Sequence, residues 1–152
     1  MLNEEYKFSD NQDLSGLTST GEVSTETWDL EEIHSGSVVD DQVKGWVIVT
    51  FMASTSFTGG TEGLSIEVRT AAAEALTSLY EVVGARSVLP AKVVVGGQVA
   101  IPIYCDIAQK ELGLWYKAIN TTFTGHIYVD ADYAIEKVVK NENIQRIRSS
   151  IG

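Results

Sequence analysis

The chain has 152 residues and a formal net charge of −10 at pH 7. A chain of this length forms one domain with a single core, and its acidic balance argues against nucleic acid as a partner because phosphates would be repelled. The one cysteine, Cys105, cannot form a disulfide within the chain, so the fold does not depend on oxidation.

The beginning of the chain and its apolar stretches bear on where the protein acts. Residues 1–5 are acidic where a secretory signal is basic, and no stretch approaches the roughly 18 apolar residues that span a bilayer. We therefore expect a protein that is made in the cytosol and has no membrane partner.

The first third of the chain is polar and acidic. Residues 1–19 are rich in turn formers, which predicts either an arm or an irregular first strand. Residues 22–30 alternate weakly, with Trp28 and Leu30 on the side expected to face a core. An exposed loop is predicted at residues 35–42. The first 41 residues contain eleven acidic residues and one lysine, which accounts for the whole net charge.

Short runs of β-branched and aromatic residues, bounded by Gly, Asn, Asp or Thr, predict the strands. They cover residues 46–52, 64–69, 79–84, 92–95, 99–103, 115–119 and 126–129. Several such runs in one chain of this size predict an all-β sandwich or barrel, which we assign to residues 20–133.

The breaks between these runs also carry predictions. The alanine-rich residues 70–76 fit either a helical turn or a loop between sheets. Gly96 and Gly97 predict a turn with positive φ, and Pro102 predicts an edge strand or the end of a strand.

Residues 134–152 differ in character and form a predicted C-terminal tail. Apolar residues recur there at steps of three or four in part, which fits a helix or an extended arm that inserts apolar side chains into a partner's grooves. Residues 137–152 contain four basic residues and one acidic residue. An acidic front and a basic tail predict pairing with a neighbour or with each other, and a solvated surface is the alternative. The candidate partner-binding residues are Ile144, Arg146, Ile147, Arg148 and Ile151.

No pattern in the sequence predicts catalysis. The chain has two histidines, His34 and His126, and no Gly-x-Ser-x-Gly elbow. Asp130 and Asp132 would point the same way in a strand and could hold a cation between them, but a plain turn is the preferred interpretation. We therefore predict that the protein is not an enzyme and has no catalytic residues, no cofactor and no metal site.

The aromatic residues suggest a different class of function. Trp28, Trp46 and Trp115 could include a platform on which a sugar stacks. Because Trp46 and Trp115 begin regular strands, a role in the core is the preferred interpretation for both.

Six pieces of the chain occur in an order that matches a known family. The opening Phe8-Ser9-Asp10-Asn11-Gln12 and the turn Phe123-Thr124-Gly125 are the most specific parts of the match. The six pieces are residues 7–12, 21–30, 64–70, 99–103, 114–117 and 123–129. In this order of segments the chain resembles the jelly-roll capsid cement, or decoration, proteins of tailed bacteriophages.

The resemblance implies a fold and a function. The fold is a jelly-roll-like antiparallel β-sandwich with extended N- and C-terminal segments. The function is that of a structural virion protein that binds the outer capsid surface as a homodimer or homotrimer and stabilises it by bridging major capsid protein subunits. The family has no catalytic residues to carry over, and the tail here is longer than the family's. The alternative is a carbohydrate-binding jelly roll that attaches to cell-surface glycans.

Overall fold

The computed structural model describes residues 7–29, 42–58, 62–106, 111–120 and 122–134. Leu30, most of the predicted loop at residues 35–42, and the tail residues from 135 onward lie outside the described residues. The candidate partner-binding residues Ile144, Arg146, Ile147, Arg148 and Ile151 therefore lie outside them too.

Nine strands make up almost all of the described secondary structure. The first five are β1 (Lys7–Asp13), β2 (Glu22–Val23), β3 (Trp28–Asp29), β4 (Gln42–Thr58) and β5 (Leu64–Ala71). The last four are β6 (Glu81–Val88), β7 (Gln98–Asp106), β8 (Glu111–Ala118) and β9 (Thr124–Ala134). A single 3-10 turn at Pro90–Lys92 lies between β6 and β7.

The strands form two antiparallel sheets, and their order defines the fold. Sheet A has the order β1-β9-β4-β7, and sheet B has the order β2-β8-β5-β6. Strand β3 also pairs with β8, so β2 and β3 act as two halves of one interrupted edge strand. Every other connection except β5–β6 crosses from one sheet to the other. This is the order of a jelly roll, which confirms the predicted antiparallel β-sandwich.

The core follows from the two-residue periodicity of the strands. On β5, the side chains of Leu64, Ile66 and Val68 are fully buried between the sheets, while Ser65 and Glu67 face outward. The predicted core anchor Trp28 is buried, as expected. Its ring stacks on Phe8 with centroids 4.8 Å apart and meets the edge of Tyr133 at the same distance.

Strand β1 belongs to the sandwich. It pairs with β9 through two register shifts, so it is an irregular strand. Phe8, Leu14 and Leu17 are buried in the core, which means that residues 7–19 do not form a free arm.

A buried polar network joins β1 to sheet B. The Tyr116 hydroxyl lies 2.8 Å from Ser9 Oγ, which in turn donates to Gln12 Oε1 at 2.7 Å. Gln12 Nε2 donates to the carbonyl of Val23 on β2 at 2.9 Å. Burial raises the pKa of the Tyr116 hydroxyl. The network therefore keeps neutral donors and acceptors inside the sandwich, where each has a partner.

Four further expectations from the sequence have clear outcomes. The predicted strand at residues 92–95 is wrong, because Pro90 starts a 3-10 turn and Gly96, at φ 89°, reverses the chain. The positive φ predicted for this glycine pair is therefore confirmed at Gly96. Residues 72–80 form a loop and not a helical turn. Pro102 lies on β7, the edge strand of sheet A, as predicted.

The strand pairings place the connections at two ends of the sandwich. Leu64 pairs with both Val88 and Ala118, so β5 begins where β6 and β8 end. Backbone hydrogen bonds link the connections at that end, as from Ala118 N to Thr18 O at 3.0 Å and from Phe123 N to Leu17 O at 2.9 Å. The loop at residues 72–80 lies at the opposite end.

Candidate functional site

The two aspartates that the sequence singled out lie on the outer face of β9. The preferred interpretation of a plain turn is therefore wrong, since both are strand residues. A cation does lie beside them, but it is Lys7, whose Nζ is 3.6 Å from Asp130 Oδ2 and 3.6 Å from Asp10 Oδ1. Burial raises the pKa of Asp132 although Lys7 opposes this effect. Among the described residues, no three His, Cys, Asp or Glu side chains are placed to hold a metal ion.

His126 pairs with a carboxylate at the surface. Its Nδ1 lies 3.2 Å from Asp13 Oδ2, and Asp13 Oδ1 accepts the backbone N–H of Ser15 at 2.8 Å. Both side chains are more than a third exposed, so the pair stabilises the fold by at most about 1 kcal/mol. The arrangement fastens the turn after β1 to β9. His34 lies outside the described residues.

Glu22 on β2 is a second carboxylate that the fold leaves poorly solvated. Its Oε1 is buried without a hydrogen-bond partner. Burial raises the pKa of Glu22, Gln12 lowers it through a hydrogen bond, and the like charge of Asp13 raises it. The ionised carboxylate therefore destabilises the folded state. The folded protein binds the proton of Glu22 more tightly than the unfolded protein does.

We expect Glu22→Gln to raise the free energy of unfolding at pH 7. The raised pKa makes the wild type lose stability as the pH rises from about 4.5 through the folded-state pKa, and glutamine does not ionise. The gain should therefore shrink as the pH falls toward 4. Urea denaturation of both proteins across this range measures it, with the exposed Glu26→Gln as control. A gain that is equal at pH 4 and pH 7 would contradict the explanation.

The tryptophans do not form an exposed platform. Trp28 and Trp115 are buried and Trp46 is half-buried. Among the side chains that the structure describes, Tyr80 is the one exposed aromatic side chain, and its ring packs against Arg69. A sugar-stacking groove needs at least two exposed rings, so the described part of the chain offers no support for the carbohydrate-binding alternative.

The most unusual cluster surrounds Arg69 on the outer face of sheet B. Its guanidinium is buried between two rings, with Cζ 3.7 Å from the centre of Tyr80 and 4.4 Å from that of Trp115. Nη2 contacts Glu67 Oε1 at 2.7 Å, and Nη1 donates to the carbonyl of Leu76 at 3.0 Å. Arg69 therefore fastens the loop at residues 72–80 to the sheet through its contact with the Tyr80 ring and its hydrogen bond to Leu76, while Glu67 on the same strand pairs with the guanidinium.

Gly113 on β8 allows this loop to pack closely against the sheet, because glycine has no side chain. A Cβ atom there would come within 2.8 Å of both Leu76 Cδ1 and Thr27 Cγ2. Leu76 is thus fully buried against the outer face of the sheet, although its φ of 56° is in the left-handed region. The burial of its side chain offsets the unfavourable backbone conformation.

Leu79 has the same kind of backbone, but the residue is exposed. Its φ is 50°, and its side chain is 91% exposed. A left-handed conformation costs a residue with a side chain roughly 1–2 kcal/mol. Leu79 and its neighbour Tyr80, which is 39% exposed, form what we call the Leu79 patch, and the exposed Glu74 and Glu81 flank it in sequence. Sequence reasoning missed the patch because it assigned Leu79 to a strand.

The end of the sandwich opposite the loop at residues 72–80 has few charged side chains among its described residues. We call it the uncharged end, because its described residues carry only one acidic and one basic side chain, Glu62 and Lys92. Asn120 Nδ2 donates to Glu62 Oε2 at 2.6 Å. Three aliphatic side chains of this end are exposed: Leu89 (69%), Val94 (49%) and Val95 (55%). The uncharged end comprises the described residues among 14–20, 62–63, 89–97 and 119–123.

Backbone hydrogen bonds fix the loop that carries Val94 and Val95. Phe51 of β4 exchanges backbone hydrogen bonds with the loop, from Gly96 N to Phe51 O at 2.7 Å and from Phe51 N to Gly97 O at 2.9 Å. Gly97 N also donates to Val94 O at 2.9 Å, and Val93 is buried beneath the loop. The backbone of this loop is therefore ordered before any partner binds, which lowers the backbone entropy lost on binding.

Comparison with known proteins adds no assignment. No protein-family model matches the chain, and no curated protein matches it either. Within the described ranges, no helix has the length and apolar character needed to cross a membrane.

Proposed function

We propose that this chain is a structural virion protein that binds the outer capsid surface of a tailed bacteriophage. It stabilises the shell by bridging major capsid protein subunits. The observation that carries the proposal is the Leu79 patch, where an exposed leucine occupies an unfavourable backbone conformation on a firmly fastened loop. The order of segments that resembles capsid decoration proteins supports the choice of partner.

Leu79 contributes little to the packing of the fold. With 91% of its side chain exposed, this leucine contributes almost no burial, and asparagine or glycine would fit the backbone better. Backbone strain is concentrated in binding and switch regions. An aliphatic side chain at such a position gains its stabilisation from a partner that buries it.

The charges around the patch define the partner's chemistry. Glu74 and Glu81 are both exposed, and among the described residues the base beside the patch, Arg69, is buried and paired with Glu67. A complementary surface therefore combines an apolar pocket with basic side chains at its rim. On a capsid, a copy of this protein with such a contact would add bonds that must break before the shell expands.

If the proposal holds, the genome that encodes this chain also encodes a major capsid protein, and the test uses that protein. Shells assembled from that protein are sedimented with and without the purified full chain, and both samples are then heated. We expect the chain to sediment with the shells and to raise the temperature at which they break open. A chain that stays in the supernatant, with shells that break at the same temperature, would overturn the proposal.

A further inference from the structure

We propose that residues 135–152 fold back over the outer face of sheet A and cover an apolar strip on it. The strip, which we call the Ile48 strip, consists of Trp46, Ile48, Ala100, Pro102 and Ala134. These residues alternate along β4, β7 and β9 with core residues such as Val47 and Ile101, so their side chains are on the outer face. Trp46 pairs with both Pro102 and Ala134. Ile48 pairs with Ala100, so the strip is continuous across three strands.

The Ile48 strip is apolar at positions where a sandwich usually meets water. Ile48 is nevertheless 6% exposed and Ala134 is 7% exposed. Pro102 is exposed, and Trp46 and Ala100 are half-buried, so the strip still has apolar surface for a further segment to cover. Covering this surface removes it from water, which favours a segment with aliphatic side chains as the occupant.

Acidic side chains lie beside the strip on β9. Asp132 pairs with Ile48, and its Oδ1 atom is buried without a hydrogen-bond partner among the described residues. Asp130 and Asp10 lie close by and both contact Lys7, so three carboxylates face one ammonium group. A donor stabilises a buried carboxylate oxygen, and a basic side chain is the donor that also offsets the excess negative charge. The occupant of the strip therefore carries basic residues as well as aliphatic ones.

Further charges around the outer face of sheet A lie apart from this acidic group. Asp13 pairs with His126 near the start of β9, whereas Asp132 is near its end. Arg86 of β6 donates to the carbonyl of Ala100 at the opposite margin of the strip. The strip is thus acidic along β9 and basic along β7, so the basic side chains of the occupant belong on the β9 side.

Residues 135–152 have the position, length and chemistry that the strip requires. They follow directly on Ala134, which is itself part of the strip. At roughly 3.3 Å per residue they span up to about 60 Å when extended, whereas β9 spans about 35 Å. They contain four basic residues, two acidic residues and six aliphatic ones, namely Ile135, Val138, Val139, Ile144, Ile147 and Ile151. A segment tethered at its binding site has an effective concentration in the millimolar range, so it binds its own sandwich in preference to another copy.

The three tryptophans report on three layers of the molecule. Trp46 is on the outer face of sheet A, Trp28 is between the sheets, and Trp115 is on the outer face of sheet B. The purified full chain, with isotope-labelled tryptophan, carries a nitroxide on Ser149→Cys, and Cys105→Ser leaves the nitroxide one site of attachment. Because packed sheets are about 10 Å apart, we expect the Trp46 indole signal to lose the most NMR intensity and the Trp115 signal the least.

The matched control places the nitroxide at the other face. Thr77→Cys, in the exposed loop at residues 72–80, should reverse the order, so that the Trp115 signal loses the most intensity. A mixture of isotope-labelled chains without nitroxide and nitroxide-bearing chains without isotope should show no loss at Trp46, because each tail covers its own sandwich. No capsid protein is present, so the result is independent of whether the chain binds capsids.

Substitutions in the tail test which side chains bind the strip. The triple variant I144S, I147S, I151S should restore the Trp46 intensity, since replacing three buried aliphatic side chains weakens docking at least about 100-fold. The polar pair N143A, Q145A is the control and should leave the loss unchanged. In chains that keep Cys105 and carry no nitroxide, the triple substitution should move the Trp46 indole signal and leave the other two in place. Trp46 intensity that falls no more than that of Trp115, a triple variant that keeps the loss, or a loss at Trp46 in the mixture would overturn the inference.

Discussion

Replacing Arg69 with alanine should lower the free energy of unfolding by about 3 kcal/mol. The change removes the hydrogen bond to Leu76, the ion pair with Glu67 and the contacts with two aromatic rings. Removing one member of a buried ion pair typically costs 3–5 kcal/mol, and the lower end of that range applies here because Glu67 is only partly buried. Urea denaturation followed by tryptophan fluorescence measures the loss, and Trp115 lies next to the substituted side chain.

Arg86 supplies the matched control for this substitution. It lies on the neighbouring strand β6, is exposed, and donates one hydrogen bond to the carbonyl of Ala100 at 3.2 Å. Arg86→Ala should therefore change stability by less than about 1 kcal/mol. If Arg69→Ala were as mild as Arg86→Ala, the loop at residues 72–80 would not depend on the Arg69 contacts.

Replacing Leu79 with asparagine should have two opposite effects. Asparagine tolerates the left-handed conformation, so the free energy of unfolding should rise by about 1 kcal/mol. Binding to capsid shells should weaken about 30-fold, because a buried leucine side chain contributes about 2 kcal/mol to a contact. Urea denaturation measures the first effect, and sedimentation with shells measures the second.

Leu79→Ala separates the two effects. Alanine also removes the exposed aliphatic side chain, but it leaves the unfavourable backbone conformation in place, so it should weaken binding without raising stability. Val95→Asn, at the opposite end, should leave the affinity of a single copy for the shell unchanged. If the asparagine variant binds shells as tightly as the wild type, Leu79 does not take part in the contact with the shell.

The parts of the fold that the sequence predicted are those that depend on local pattern. Alternation of apolar and polar residues over 64–69 and 126–129 was enough to predict β5 and β9, because one face of each strand is buried. Pro102 predicted an edge strand because proline cannot donate a ladder hydrogen bond. The valines at 93–95 were misassigned, since their β-branched side chains fit a strand, and only tertiary packing shows that Val93 alone is buried.

The candidate site depends on contacts that no local pattern reveals. Arg69 occupies an outward position of β5, where a charged residue predicts solvent, yet it is buried because the loop at residues 72–80 folds over it. Gly113 permits that loop to approach, and it is far from both in sequence. The hydrophobic character of Leu79 predicts a strand, but its left-handed backbone conformation, which only the structure gives, is that of a loop residue.

Electron cryomicroscopy of the shells tests the central claim most directly. Shells of the major capsid protein from the genome that encodes this chain would be imaged after incubation with the full wild-type chain, alongside shells incubated with Leu79→Asn. We expect a sandwich-shaped density on the outer surface of the wild-type shells, with the loop at residues 72–80 touching coat subunits, and weaker density with the variant. Bare shells after incubation with the wild type, or density on their inner surface, would contradict the account.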